Sequence, residues 1–341
     1  MKSKIKFIDL FAGIGGFRLA LEKFGAECVF SSDFDKDAQK VYEINFKDEI
    51  KGDITQINAD AIPKHDILCG GFPCQAFSLA GKKLGFEDIR GTLFFDIARI
   101  VSHHKPQVVF LENVKNLVNH DKGNTFKVIK KTMIDLGYDF NYKVLNAKDF
   151  GLPQNRERVY IVCFRKDLKA NFEYPTPPKN ETRLGSILEK NVDDKYTISD
   201  KLWAGHQRRK LEHKLKGNGF GYSLFDTHSP YTSTLSARYY KDGSEILIKQ
   251  PNKNPRKLTP REAARLQGFP ENYVIPVSAS KAYKLFGNSV ALPVLYSVSS
   301  KIIETLNYSN NKHYTLGPIR NTTQKISTDN KFQVLLFPEN T

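Results

Sequence analysis

From residue 5 onward, short apolar runs alternate with segments of helical spacing. Residues 5–10, Ile-Lys-Phe-Ile-Asp-Leu, read as a first strand that leaves through the glycine-broken turn Phe11-Ala-Gly13-Ile14-Gly15-Gly16-Phe17. A helix is expected over 18–24, then a strand over 27–32 closed by Asp33, and a second helix over about 37–46. Gly52-Asp53-Ile54 marks a third strand end. Ile67-Leu68-Cys69 is apolar enough for a strand covered on both faces, and Gly70-Gly71 and Pro73 shape its exit toward Cys74. A fifth strand is expected at 107–112, helical spacing returns over 125–136, and strands follow at 142–145 and 159–164. This alternation predicts an α/β fold, a parallel sheet with helices on both faces.

The texture changes after Lys169. Tyr174-Pro-Thr-Pro-Pro178 has the composition of a linker, and beyond it basic clusters, aromatics and glycines alternate with little regular helix spacing. The expected division is a strand–helix domain over 1–172 and a smaller, irregular, mostly β domain over 173–281. An apolar segment over 282–306 would pack back on the first sheet, followed by a polar tail, 307–341, of no evident role.

Charge narrows the partners. The 341 residues carry 52 Lys and Arg against 37 Asp and Glu, a net charge of +15, which points to a polyanion and to nucleic acid before a membrane surface. No apolar run reaches membrane-spanning length, and no signal peptide is expected. Four cysteines without a C-x-x-C pair indicate neither a disulfide framework nor a zinc site. Cys28, Cys69 and Cys163 lie in apolar strand-like runs and are expected as packing in a reducing cytoplasm.

Cys74 is different. A cysteine after the end of a buried strand sits where open α/β sheets place ligands, although a free cysteine is more commonly a small buried hydrophobe. The first turn lets backbone approach a ligand but is not G-x-G-x-x-G, since Arg18 occupies the third glycine position. Asp33 could accept from ribose hydroxyls and Asp53 from an adenine amine; each could equally be a cap or a solvated carboxylate. Together, at successive strand ends, they suggest a nucleoside-cofactor site. Glu112 would face Cys74 across the rim of the sheet. Arg156 and Arg158, two apart in an extended segment, would share a face.

The order of Phe-Ala-Gly-Ile-Gly-Gly-Phe (11–17), Gly-Asp-Ile (52–54), Gly-Phe-Pro-Cys-Gln-Ala-Phe-Ser (71–78), Arg-Gly-Thr-Leu-Phe-Phe (90–95), Glu-Asn-Val (112–114) and Gln-Asn-Arg-Glu-Arg (154–158) resembles the DNA (cytosine-5) methyltransferases. Leu-Thr-Pro-Arg-Glu-Ala-Ala-Arg-Leu-Gln-Gly-Phe-Pro (258–270) and Gly-Asn-Ser-Val (287–290) extend the resemblance, which is to the bacterial restriction–modification type of the HhaI and HpaII group. It implies a Rossmann-like sheet that binds S-adenosylmethionine (SAM) and a target-recognition domain over 173–281. One departure is visible: the family usually carries Glu then Trp where this chain has Asp33 and Phe34.

The resemblance further implies a covalent bond from Cys74 to C6 of a flipped-out cytosine, with Glu112, Arg156 and Arg158 as the other catalytic residues. SAM would lie among Phe11, Gly13, Ile14, Gly15, Asp33, Phe34, Asp53, Ile54, Pro73, Leu93, Asn288 and Ser289, with no metal. Double-stranded DNA would meet Ser78, Lys82, Lys83, Arg208, Arg209, Thr234 and Arg238, the first three in a lid over residues 75–92. A monomer is expected, paired in function with a restriction endonuclease but not stably bound to it. Stretches 217–222 and 234–243 resemble those of relatives whose sites contain CC and GG. Transfer to tRNA cytosine, or a non-enzymatic DNA-binding regulator on the same scaffold, are the alternatives.

Overall fold

The computed structural model describes residues 4–73, 93–178, 180–219 and 221–313. Six strands form the main sheet: β1 (Lys6–Leu10), β2 (Glu27–Ser32), β3 (Ile67–Gly71), β4 (Val108–Val114), β5 (Tyr138–Asn146) and β6 (Glu157–Arg165), in the order β2-β1-β3-β4-β6-β5. Between them run α1 (Gly16–Glu22), α2 (Lys36–Phe46), α3 (Leu93–His104) and α4 (Asn124–Asp135). Strands β2, β1, β3 and β4 are parallel, as the alternation predicts, but β6 runs antiparallel to both β4 and β5. The sheet is therefore mixed, not parallel throughout.

Alternation along the central strands explains why both faces are covered. Phe7, Ile67, Cys69, Val108, Phe110 and Val162 face α1 and the C-terminal helix, while Ile8, Leu68, Val109, Leu111 and Ile161 face apolar residues of α3 and α4. Gly70 is needed where β3 meets β1, since a Cβ there would stand 2.3 Å from the Leu10 carbonyl oxygen. The three described cysteines pack within β2, β3 and β6, and burial pushes the Cys28 thiol up to about 12.

Two stretches depart from expectation. Gly52-Asp53-Ile54 is not a strand end: a single parallel bridge joins Lys51 to Ser32, after which Asp53 caps a 3₁₀ turn by accepting from Thr55 N–H. The run is too polar and exposed to hold a buried strand. The basic stretch after the linker forms a regular helix, α5 (Asp200–Leu215), although its one buried residue is His206. Ser199 caps its first turn, Asp200 suits the positive end and His213 and Lys214 the negative end, so end effects support what an apolar stripe does not.

A small sheet of β7 (Leu224–Phe225), β8 (Leu247–Gln250) and β9 (Lys253–Arg256) follows, then α6 (Pro260–Leu266), α7 (Ala279–Asn288) and α8 (Leu292–His313). The expected apolar segment over 282–306 is thus two helices, parted between Asn288 and Leu292, and the second runs beyond 306. Leu184, Leu235, Tyr239, Ile246, Leu258, Leu266 and Phe286 share one apolar cluster with Ile14, Ala38 and Val41. The late part of the chain is seated directly on the first turn and α2.

Candidate active site

Glu112 lies near the C-terminal end of β4, in register with Gly71 of β3, just before Phe72, Pro73 and position 74. Because β6 is reversed, its beginning reaches this same rim: Arg158 pairs in register with Val114, and its Nε stands 3.2 Å from Glu112 Oε1. An all-parallel sheet would place the start of that strand at the opposite edge. The side chains of Arg158 and Glu112 are only 13% and 10% exposed. Burial raises the Glu112 pKa, opposed by the positive charges of Arg158 and Arg156. Among the described residues, Oε1 of Glu112 has no hydrogen-bond partner. The outcome is a carboxyl group biased to the neutral form with capacity left for a ligand.

Asn113, which has no expected role, secures the approach: its Nδ2 donates to the Phe72 carbonyl at 2.7 Å and its Oδ1 accepts from Val114 N–H at 2.8 Å. This ties the exit of β3 to β4 immediately before position 74. Cys74, Ser78, Lys82 and Lys83 lie outside the described residues.

Arg156 differs from this pair in its hydrogen-bond partners, although its charge also acts on Glu112. It precedes β6, is buried, and donates to the carbonyls of Leu235 (3.0 Å), Gly287 (3.1 Å) and Ser289. Burial pushes its guanidinium down to about 9. Alternation places two arginines on one face only within a strand, and the strand begins at Glu157.

At the neighbouring strand ends, the first turn is held open. Phe11 (φ 56°), Gly13 (φ 54°) and Gly15 (φ 77°) are left-handed, a conformation that costs a bulky residue such as Phe about 1–3 kcal/mol. Gly13 N–H donates to Asp33 Oδ2 at 2.7 Å and Asp35 N–H to Asp33 Oδ1 at 2.8 Å, so Asp33 braces the turn. Each oxygen keeps a further lone pair. Among the described residues, a Cβ on Gly13 would meet nothing closer than the Phe11 carbonyl oxygen at 4.0 Å, so these residues leave space above the turn. Phe34 stands 69% exposed beside it, Asp53 is exposed with Ile54 buried below, and Tyr273 from the far end of the chain donates to the Ile14 carbonyl at 2.6 Å. Asn288 is exposed and Ser289 buried, and Val290 packs so closely on the turn that a Cβ on Gly16 would lie 2.3 Å from it. Pro73 and Leu93 border the undescribed segment. Open backbone, two acidic acceptors and an uncovered aromatic ring suit a nucleoside-bearing ligand.

The C-5 cytosine-specific DNA methylase family model matches residues 5–304. The chain belongs to this family. Type II methyltransferase M1.ScrFI of Lactococcus lactis subsp. cremoris is 62% identical over 311 residues, 90% of this chain and 80% of that one. Type II methyltransferase M.SsoII of Shigella sonnei is 61% identical, covering 89% and 81% respectively. M.HhaI of Haemophilus parahaemolyticus is 49% identical, covering 89% and 96%. The fold matches the solved Entamoeba histolytica methyltransferase EhMeth with a TM-score of 0.70 at 22% identity, over 89% of this chain and 99% of that one. The chain is thus a DNA (cytosine-5) methyltransferase of the type II kind, and its family implies SAM as methyl donor. Among the described residues no helix is long and apolar enough to cross a membrane, and no three His, Cys, Asp or Glu side chains converge as a metal site.

The expected DNA contacts divide. Arg208 projects from α5, its side chain 76% exposed, with an i,i+4 pair to Glu212 at 3.7 Å. Arg209 is also exposed, its side chain 48% accessible, but is paired within the protein: Nη2 lies 2.8 Å from His206 Nδ1 and 3.1 Å from Asp242 Oδ2. Thr234 donates to the Asn155 carbonyl at 2.6 Å, and Arg238 is exposed.

Proposed function

We propose that the rim formed by Gly71, Glu112 and Arg158 receives a cytosine flipped out of duplex DNA and that Cys74 adds to its C6. The observation that carries this is the Glu112–Arg158 pair on the strand end beside the one that leads to position 74. Cytosine C5 is a weak nucleophile, and addition of the Cys74 thiolate to C6 pushes electron density onto C5. Neutral Glu112 donates to N3 and accepts from the exocyclic amine as charge builds on the ring; Arg158 holds the base carbonyl and orients Glu112. After C5 is methylated, loss of its proton restores the C5–C6 double bond and expels the Cys74 thiolate. SAM, when bound, supplies the methyl group.

Phe11, Gly13, Ile14, Gly15, Asp33, Phe34, Asp53, Ile54, Pro73, Leu93, Asn288 and Ser289 would hold SAM, with Asp33 on the ribose and the Phe34 ring against the adenine. Phe34→Ala is expected to weaken SAM binding about tenfold, the loss of a stacking contact of about 1 kcal/mol together with burial of the ring. Calorimetry with SAM checks this; affinity unchanged within twofold would take Phe34 out of the site.

Ser78, Lys82 and Lys83 would close over the target, and residues 173–281 would read the duplex. Arg208→Ala should reduce the slope of log affinity against log salt by about 0.9, the value for one phosphate contact, on cognate and non-cognate duplexes alike. Arg209→Ala should leave that slope unchanged and lower the melting temperature instead, because it removes the guanidinium contacts to His206 and Asp242. The reverse pattern would exchange their roles.

A partner endonuclease cutting the same sequence, a recognition sequence containing CC and GG, and a monomeric enzyme in the cytoplasm complete this reading. Bisulfite sequencing of DNA from cells expressing the chain tests it. Methylated cytosines should fall at one position in one short sequence. Transfer to tRNA but not to a duplex would overturn it.

A further inference from the structure

We propose that Gln154 and Arg156 are positioning residues that lock residues 232–237 to the catalytic sheet, so that DNA readout and chemistry share one rigid seam. The inference rests on the reading of 173–281 as the DNA-reading region.

The seam begins with main chain. Thr232 N–H donates to the Pro153 carbonyl at 2.8 Å, and Asn155 N–H donates to the Thr232 carbonyl at 2.9 Å. Leu235 is then gripped on both of its backbone groups. Its N–H donates to Gln154 Oε1 at 3.0 Å, and its carbonyl accepts from Arg156 Nη1 at 3.0 Å. The same two side chains hold the opposite wall. Gln154 Nε2 donates to the Leu266 carbonyl at 2.9 Å, and Arg156 Nη2 donates to the carbonyls of Gly287 and Ser289. Gln267, also fully buried, donates to the Phe286 carbonyl at 2.9 Å. Contact between the walls is close: a Cβ on Gly287 would lie 2.3 Å from the Ser236 carbonyl oxygen and 2.5 Å from Ala237 N.

Filling volume does not require this chemistry. A buried guanidinium hydrogen-bonded to backbone carbonyls carries a desolvation cost that an apolar side chain would avoid. What the planar fork adds is direction, fixing three carbonyls from two separate segments at set angles. Two residues further along the chain, Arg158 meets Glu112. A shift of residues 232–237 by a mismatched duplex would pull on Leu235, then on Arg156, and so on the start of the strand that carries Arg158. Thr234 and Arg238, expected to face DNA, flank the gripped residue.

The test measures methyl transfer to the cognate duplex and to duplexes with one base pair changed, for the unaltered chain and for Arg156→Lys, Gln154→Glu and Gly287→Ala. SAM affinity and thermal melting are measured alongside. One wrong base pair should cost the unaltered enzyme about 10–100-fold in kcat/KM. In the variants the cognate rate is expected to fall at least tenfold while near-cognate rates fall much less, bringing discrimination within about threefold of unity with SAM affinity kept. Equal losses on cognate and near-cognate duplexes, or undiminished discrimination, would overturn the proposal. Should Arg156→Lys fail to melt cooperatively, the other two variants carry the test, because one removes a donor and the other pushes the walls apart. The parent reading has its own check in the salt slope of Arg208→Ala, so the two can fail independently.

Discussion

Cys74→Ala protein should leave no adduct on a duplex carrying 5-fluorocytosine at the target position, whereas the unaltered chain should leave one that survives denaturation. Fluorine at C5 cannot depart as a proton does, so once C6 carries sulfur and C5 carries the methyl group, elimination stalls and the bond persists. Ordinary methyl transfer should fall on the order of 10⁴-fold or more, because no other group supplies the electrons that make C5 nucleophilic. Duplex binding should persist, since the thiol serves only the chemistry. The measurement is a denaturing gel of labelled duplex, paired with a filter-binding affinity. An adduct formed equally well by Cys74→Ala would remove Cys74 from the reaction.

Much of this arrangement was legible beforehand for a physical reason. Ligand contacts at strand ends need glycines that permit close approach and carboxylates that accept hydrogen bonds, and those types stand out at Gly13, Gly15, Asp33, Asp53 and Glu112. Strand direction was not legible, since alternation of buried residues looks the same whichever way a strand runs. Yet the reversed β6 is what brings Arg158 to Glu112. Helix α5 escaped because periodicity detects a buried stripe and this helix has none. Helix α6 did carry a local signal: Thr259, Pro260 and Glu262 form a capping box with proline in the first turn. Asn113, Gln154 and Tyr273 could not be assigned from the chain alone, because each acts on a backbone carbonyl supplied by a different segment.

Glu112→Gln should lower kcat about 10²–10⁴-fold, the range for loss of a positioned acid, and should also change the shape of the pH profile. The sign follows from burial. Glu112 has its pKa raised, so the neutral carboxyl that donates to N3 is present at low pH and is lost as pH rises through the raised value. Cys74 has the opposite requirement, since thiolate increases with pH toward an ordinary thiol pKa of about 8.5. The unaltered enzyme should therefore show a bell, and the Glu112→Gln enzyme should lack its descending limb. Arg158→Gln supplies the check on assignment. Arg158 opposes the upward shift of Glu112, so its removal should move the descending limb to higher pH even as the rate falls. A limb that survives in Glu112→Gln, or one that stays in place in Arg158→Gln, would belong to another group, and the proton for N3 would have to come from elsewhere.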